Sequence, residues 1–379
     1  MDKNKVKILK NFKDTDSFSL KKRREIEMNS LEYLINSGYM NLDTPILESA
    51  DLFFKKSLGS TSGNTYTFVD QLNQQVSLRP DFTASIMRYV FSNFTENFHG
   101  NGKYCYSGPV FKFENSADSF HQTFQVGAEY ISNDKKGYES EVILDAVECL
   151  KKNKINDFKI NIGNVGILRD YLFSLGLSNT LIEFFLTNIK VFNKENYEDE
   201  LLSKAKFQNL IKSSEKITNL NKNDIQKKFQ SNLQSNLGLR SNDEIIERYL
   251  NKLSNQIIES KFKIVIEKLN QLININLDDL LNNSLKIDLD LEYFTKLINK
   301  LLTTGISKKN ICIDFSLTRN LAYYNGVVFD LICDDKLIGG GGRYDELPSM
   351  LGYSADVSCV GFGINISMLT DITIKNKNE

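Results

Sequence analysis

Between Gly176 and Gly305 the chain contains no proline and a single glycine, Gly238, while the four prolines, Pro45, Pro80, Pro109 and Pro348, all fall outside that stretch. Glycine and proline are the strongest local breaks in secondary structure, so a long run almost free of both, crowded with Leu, Ile, Asn and Lys, predicts helices. Its clearest helix opens at Ser241 with Glu244 three residues on, a capping box, followed by Ile245, Ile246, Tyr249, Leu250, Leu253, Ile257 and Ile258 at helical spacing. Strand-forming segments lie on both sides of this block, at 104–114, 123–132 and 158–162 before it and at 311–316, 323–333 and 357–366 after it. Further helices are expected near 19–38 and 138–152, the latter with Glu139 and Glu141 at its start and Lys151 and Lys152 at its end, as the helix dipole favours. The simplest architecture is one α+β domain whose mostly antiparallel sheet is flanked by helices and completed by the C-terminal part, with a helical insertion as a second lobe. The expected divisions are 1–163 and 305–379 for the two parts of the sheet domain, and 164–304 for the insertion.

At 379 residues the chain can bury a sizeable core, and its 41% hydrophobic and 25% charged residues are near globular averages. A net charge of -1 supplies no basic field for holding a nucleic-acid backbone. Cys105, Cys149, Cys312, Cys333 and Cys359 are far apart and form no ligand spacing, which predicts reduced, mostly buried thiols. With His99 and His121 as the only histidines, a His-rich metal site is excluded and a His-dependent nucleophilic triad is not expected. No stretch has signal-peptide or membrane-span character, so a cytoplasmic protein is expected.

Four segments could build a pocket. In Thr123–Tyr130 strand alternation puts Gln125, Gly127 and Glu129 on one face and Phe124, Val126, Ala128 and Tyr130 on the other. Gln125 and Glu129 would stand roughly 13 Å apart along the strand, with room for a small ligand over the bare Gly127; a solvent-facing strand is the plainer explanation of this segment taken alone. In Leu78–Thr83, Pro80 biases Arg79 towards an extended backbone, and Asp81 and Thr83 can act as polar ligands or cap the helix expected from Ala84 to Val90. Arg319 precedes the pair Tyr323 and Tyr324, an arrangement that also suits a surface cation stacked on a ring. Finally, Gly339, Gly340, Gly341 and Gly342 stand before Arg343, Tyr344 and Asp345, between a strand and an expected helix. No Lys-Ser or Lys-Thr follows, so this is not a Walker-type phosphate loop; a tight bend would need the glycines as much as a ligand would.

In order, LRPDFTAS at 78–85, GPVFKFE at 108–114, FQVGAE at 124–129, TRNLAYYNGVVFD at 318–330, GGGGRYDEL at 339–347 and VGFGINI at 360–366 resemble the class II core of histidyl-tRNA synthetases. The likeness spans roughly residues 15–165 and 305–370. It implies a histidine pocket in which Asp81, Thr83 and Gln125 take the ammonium, Glu129 and Tyr324 hold the imidazole nitrogens, Arg319 lies near the carboxylate, and Tyr323 and Tyr344 complete the wall. Acceptors would meet the cation and a fork-shaped cation the carboxylate. Asp81 stands where the ligases commonly have Glu, and Asn320 and Ala322 where they have Gly and Asp.

The positions that would handle ATP depart further. Lys112, in Phe111-Lys112-Phe113-Glu114, replaces the arginine that the ligases use on the α-phosphate, and Met368 replaces their second clamping arginine. Lysine keeps the charge but loses the bidentate fork, and methionine cannot neutralise a phosphate. The chain also runs only eleven residues beyond Met368, so no anticodon-binding domain is expected. Together these features resemble the regulatory subunits of ATP phosphoribosyltransferase, which implies no catalysis by this chain, no cofactor and no metal. The implied partners are a short-form ATP phosphoribosyltransferase catalytic subunit and L-histidine as feedback effector, with a dimer of this chain inside a hetero-oligomer and neither membrane nor nucleic acid. The rival expectation is a reduced histidyl-tRNA synthetase that borrows tRNA binding from another protein.

Overall fold

The computed structural model describes residues 6–56, 65–93, 101–114, 119–134, 137–212, 256–282, 289–318 and 323–378. Its strands are β1 (Met40–Asn41), β2 (Leu47–Ser49), β3 (Thr67–Val69), β4 (Gln75–Leu78), β5 (Asn101–Phe111), β6 (Gln122–Ser132), β7 (Lys159–Asn164), β8 (Ile211–Lys212), β9 (Ile257–Ile258), β10 (Ile311–Ile313), β11 (Val327–Cys333), β12 (Lys336–Arg343) and β13 (Ser358–Asn365). Eight of them form one mixed sheet in the order β1-β5-β6-β13-β12-β11-β7-β10. The two outermost pairs, β1 with β5 and β10 with β7, are parallel, and every pairing between them is antiparallel. Strands β2, β4 and β3 make a separate small sheet.

Alternation gives the large sheet two apolar faces. One buries Val126, Ala128, Ile160, Phe329, Leu331 and Phe362. Over it lie α1 (Ser17–Asn36) and, further along the chain, the helix Glu139–Lys152, whose Val142, Ile143, Ala146, Val147 and Leu150 point inward as their spacing predicts. Helix α1 starts where the Asp16 carboxylate accepts the N–H groups of Phe18 and Ser19, both at 2.9 Å. It ends two residues before the expected 38, because Gly38 turns to φ +87° and breaks the helical path. The opposite face buries Tyr104, Tyr106, Val328 and Cys359 beneath α2 (Ala50–Lys56) and α3 (Thr83–Asn93).

Three sequence expectations change. The four glycines do not link a strand to a helix; all of them lie inside β12, paired with β11 on one side and β13 on the other. Glycine's low strand propensity hides such a strand from pattern reading, but two ladders of backbone hydrogen bonds hold it in place. In the expected insertion, Ile257 and Ile258 are not helical: they form β9, which pairs in parallel with β8, and the helix Glu259–Ile273 begins only after them. β-branched isoleucines fit the pleat, and spacing alone cannot decide between the two for so short a run. The rest of the proposed capping-box helix, Ser241 to Leu253, lies outside the described residues. The strand expected at 311–316 stops at Ile313, because the Asp314 carboxylate accepts the N–H of Ser316 at 2.9 Å and turns the chain. Helices of the middle segment, including Asn179–Asn188, Glu259–Ile273 and Glu292–Thr303, put Phe185, Phe262 and Phe294 into the same continuous apolar cluster as the sheet.

Candidate ligand site

The sheet register assembles the site on the α3 side. Glu129 on β6 stands opposite Gly361 on β13, and Gln125, four pairs further on and opposite Asn365, lays its side chain back over Gly363. A Cβ on Gly361 would sit 1.6 Å from Glu129 Oε2, and one on Gly363 would sit 2.1 Å from Gln125 Nε2. The bare glycines of β13 therefore let both polar side chains lie flat across the neighbouring strand. The room expected over Gly127 is not available to a ligand. Tyr106, its direct cross-strand partner on β5, places its hydroxyl 2.5 Å from where that Cβ would be and within 3.2 Å of the Phe362 carbonyl. Sequence reasoning missed Tyr106, although its register with a strand glycine is the kind of pairing in which an aromatic ring covers the gap.

Glu129 is almost fully buried, at 1% exposure, and it is the hub of the cluster. Its Oε1 accepts the Thr83 hydroxyl at 2.8 Å, the Tyr106 hydroxyl lies 3.4 Å from the same oxygen, and Oε2 accepts the Tyr344 hydroxyl. Thr83, at the first turn of α3, thus serves the carboxylate, and Tyr344 braces it from the segment after β12. Tyr323, Tyr324 and Tyr344 form an aromatic wall with ring centroids 4.4 to 6.2 Å apart, and Phe82 stacks on Tyr106 at 4.3 Å. Of the roles open to it, Asp81 shows that of a polar ligand: Lys56 at the end of α2 meets its Oδ1 at 2.7 Å. Lys56 was also missed, since a lysine closing the run Leu52-Phe53-Phe54-Lys55-Lys56 reads as a solvated residue. Gln125 Oε1 is buried, and among the described residues no donor reaches it. Arg319 lies outside the described residues, as do Asn320 and Ala322.

Electrostatics follow from burial. Removal from water pushes the Glu129 carboxyl up to about 7, against the pull of the Tyr344 and Thr83 hydroxyls and the Lys56 charge. Burial also works against ionised Asp81, but Lys56, Lys112 and the Ala84 N–H outweigh it and hold its pKa below the ordinary carboxylate value. The Glu129 shift implies a pH dependence of stability. A carboxyl at about 7 in the folded chain and 4.5 as its ordinary value binds its proton more tightly when folded, so its contribution is fully present below 4.5 and lost as pH rises through about 7. At about 1.4 kcal/mol per unit this amounts to roughly 3 kcal/mol. Denaturant unfolding of wild type and Glu129→Gln should therefore show wild type losing about that much stability relative to the variant between about pH 4.5 and 8; parallel curves would mean that Glu129 is not a buried, proton-sharing carboxyl.

The two ATP positions are placed differently from each other. Lys112 is exposed at the end of β5, and its charge acts on Asp81. Met368, in the helix Ile366–Asn378, packs partly buried against the main apolar cluster, and its N–H is capped by Asn365 at 3.1 Å. Of the five cysteines, all free thiols, four are buried and Cys312 is exposed. Among the described residues no group of His, Cys, Asp or Glu could hold a metal ion, and no helix is long and apolar enough to cross a membrane.

A mixed sheet, antiparallel through its centre and flanked by helices, with a pocket floor built where β6 meets β13, defines a class II aminoacyl-tRNA synthetase-like fold. Within that class the chain belongs to the histidyl-tRNA synthetase family, which matches it over residues 11–297 and 267–369. It is similar to the histidine–tRNA ligase of Methanococcus vannielii, 27% identical over 337 residues, which cover 86% of this chain and 67% of that protein. The ligase of Sulfolobus acidocaldarius is 27% identical over 375 residues, covering 98% and 76%. Two solved structures share the fold at 20% identity: an ATP phosphoribosyltransferase regulatory subunit/histidyl-tRNA synthetase from Bacillus halodurans, with TM-score 0.69 over 98% of this chain and 84% of that one, and a histidine–tRNA ligase subunit from Alicyclobacillus acidocaldarius, with TM-score 0.66 over 100% and 99%.

Proposed function

We propose that this chain senses histidine as the non-catalytic regulatory subunit of a short-form ATP phosphoribosyltransferase, in the cytoplasm. The observation that carries this reading is Met368. Where the resemblance to histidyl-tRNA synthetases calls for an arginine on a phosphate, this chain has a thioether packed against its own core. Adenylate formation builds charge on the phosphates that fixed cations must stabilise, and Lys112 alone, an exposed point charge without a fork, is a weak substitute. The remaining chemistry of the site supports histidine as the ligand. Glu129 is a buried acceptor suited to an imidazole N–H, Gln125 Oε1 is a buried acceptor that no donor among the described residues reaches, and Tyr323, Tyr324 and Tyr344 supply an aromatic wall. Arg319 is the proposed partner of the carboxylate. The name of the Bacillus halodurans protein supports the same reading.

The Alicyclobacillus acidocaldarius protein, named a histidine–tRNA ligase subunit and matched over 99% of its length, favours a second reading: a reduced synthetase that works with another subunit. The two separate by assay. On the first reading the purified chain gives no histidine-dependent exchange of pyrophosphate into ATP, co-elutes with its cognate short phosphoribosyltransferase, raises that enzyme's activity and makes it sensitive to histidine. Glu129→Gln should still assemble and activate, while requiring at least tenfold more histidine for inhibition, the equivalent of about 1.4 kcal/mol. Exchange at the rate of an authentic synthetase, or two proteins that neither co-elute nor alter each other's kinetics, would reject the regulatory reading in favour of the second.

A further inference from the structure

An α-amino acid brings an ammonium to this site, and the chain already keeps one there. Lys56 is 4% exposed, its Nζ lies 2.7 Å from Asp81 Oδ1 and 4.6 Å from the centre of the Tyr323 ring, and its charge is felt by Glu129. A lysine buried to this degree without a specific partner would carry a heavy desolvation cost, and here the compensation comes from a carboxylate and a ring of the proposed pocket itself. A lysine side chain and an amino-acid ligand present the same group, a compact ammonium with three donors, so both seek the same acceptor.

We propose that Lys56 is the specificity-determining residue of the ammonium subsite: a tethered internal ammonium on Asp81 that a ligand must displace. The proposal rests on the histidine reading of the site. Lys56 ends α2, and its four-carbon stem lets Nζ swing out to water while the helix stays in place. A ligand with an ammonium then binds by exchanging one cation for another on Asp81, and its measured affinity is the difference between the two. A ligand that lacks the ammonium leaves Lys56 where it is. The exchange makes affinity for the free amino acid weaker than the pocket's contacts would allow, which suits a sensor that must respond to changing concentration rather than saturate.

The test uses the full chain, wild type and Lys56→Met, with three probes in calorimetry: L-histidine, histamine, which keeps the ammonium, and 3-(imidazol-4-yl)propionate, which lacks it. Lys56→Met should bind histidine and histamine at least tenfold more tightly than wild type does, with the propionate unimproved. A second measurement needs no variant: Lys56 should be acetylated slowly by an amine-reactive ester in the free protein and several-fold faster at saturating histidine, read by peptide mass spectrometry. If wild type binds histidine while Lys56→Met gains nothing or loses affinity, Lys56 is a structural lysine or a carboxylate ligand and the proposal fails alone. Unchanged Lys56 acetylation on histidine binding overturns it as well, including in the event that Lys56→Met does not fold. If neither protein binds histidine or histamine, the histidine reading fails and takes this proposal with it.

Discussion

Arg343→Met is expected to destabilise the fold by about 3–5 kcal/mol, the ordinary cost of breaking a buried ion pair from one side. The Arg343 side chain is 15% exposed; its Nη1 meets Glu139 at 3.0 Å, its Nε meets Asp345 at 2.7 Å and its Nη2 donates to Ser358 at 2.5 Å. Glu139 is itself 2% exposed and also accepts the Tyr293 hydroxyl at 2.6 Å. Burial alone would lower the Arg343 pKa, but Glu139 and Asp345 raise it above the ordinary arginine value, so the cation is firmly held. Its removal strands two carboxylates at the junction of β12, the helix Glu139–Lys152 and the helix Glu292–Thr303. The double variant Arg343→Met/Glu139→Gln should recover part of the loss, because one stranded charge is gone. Urea unfolding of both variants measures this directly; a loss below about 1 kcal/mol in the single variant would show that the pair is solvated and that this junction is not a stability hub.

Gly341→Ala, a change of one methyl group, is expected to cost at least the upper end of the roughly 1–3 kcal/mol range for overpacking. The added Cβ would stand 1.9 Å from the Gly361 carbonyl oxygen and 2.7 Å from Phe362 Cα, both backbone atoms of β13 that cannot swing aside as a side chain can. Relief requires β12 and β13 to part, and β13 is the strand over which Glu129 and Gln125 lie. The same substitution should therefore weaken histidine binding as well as stability, whereas Gly352→Ala, with no atom of the described residues within 4 Å of its Cβ but φ at +94°, should affect stability alone. Equal effects on binding from the two substitutions would sever the link between the glycine strand and the site.

Much of the site is legible in the sequence. Asp81, Thr83, Gln125, Glu129, Tyr323, Tyr324 and Tyr344 all stand in motifs that point to a pocket, and Thr83, Glu129 and Tyr344 meet in one hydrogen-bonded group. The strand alternation that puts Gln125 and Glu129 on one face, and Val126, Ala128 and Tyr130 on the other, holds in the sheet. Where expectation and fold part, the reasons are identifiable. The space over Gly127 looks empty because a sequence shows which residue lacks a side chain and not whose side chain fills the gap; Tyr106 fills it from the next strand. The glycine run looks like a bend because glycine is rare in strands, and only the strands paired on both sides of it make it part of the sheet.

The sequence by itself determined the local facts: which segments could be strands, which faces were apolar, where the helices Ser17–Asn36 and Glu139–Lys152 run to within a residue or two, and which motifs tie the chain to its family. Those depend on period, capping and breakers, all of which act over a few residues. The tertiary structure alone decided that β6 lies beside β13 although more than two hundred residues separate them, that Thr83 and Tyr344 are held by Glu129, and that Lys56 sits on Asp81. A buried lysine and a solvated one are the same letter, and only the carboxylate and ring brought to it by other strands and helices reveal which one Lys56 is.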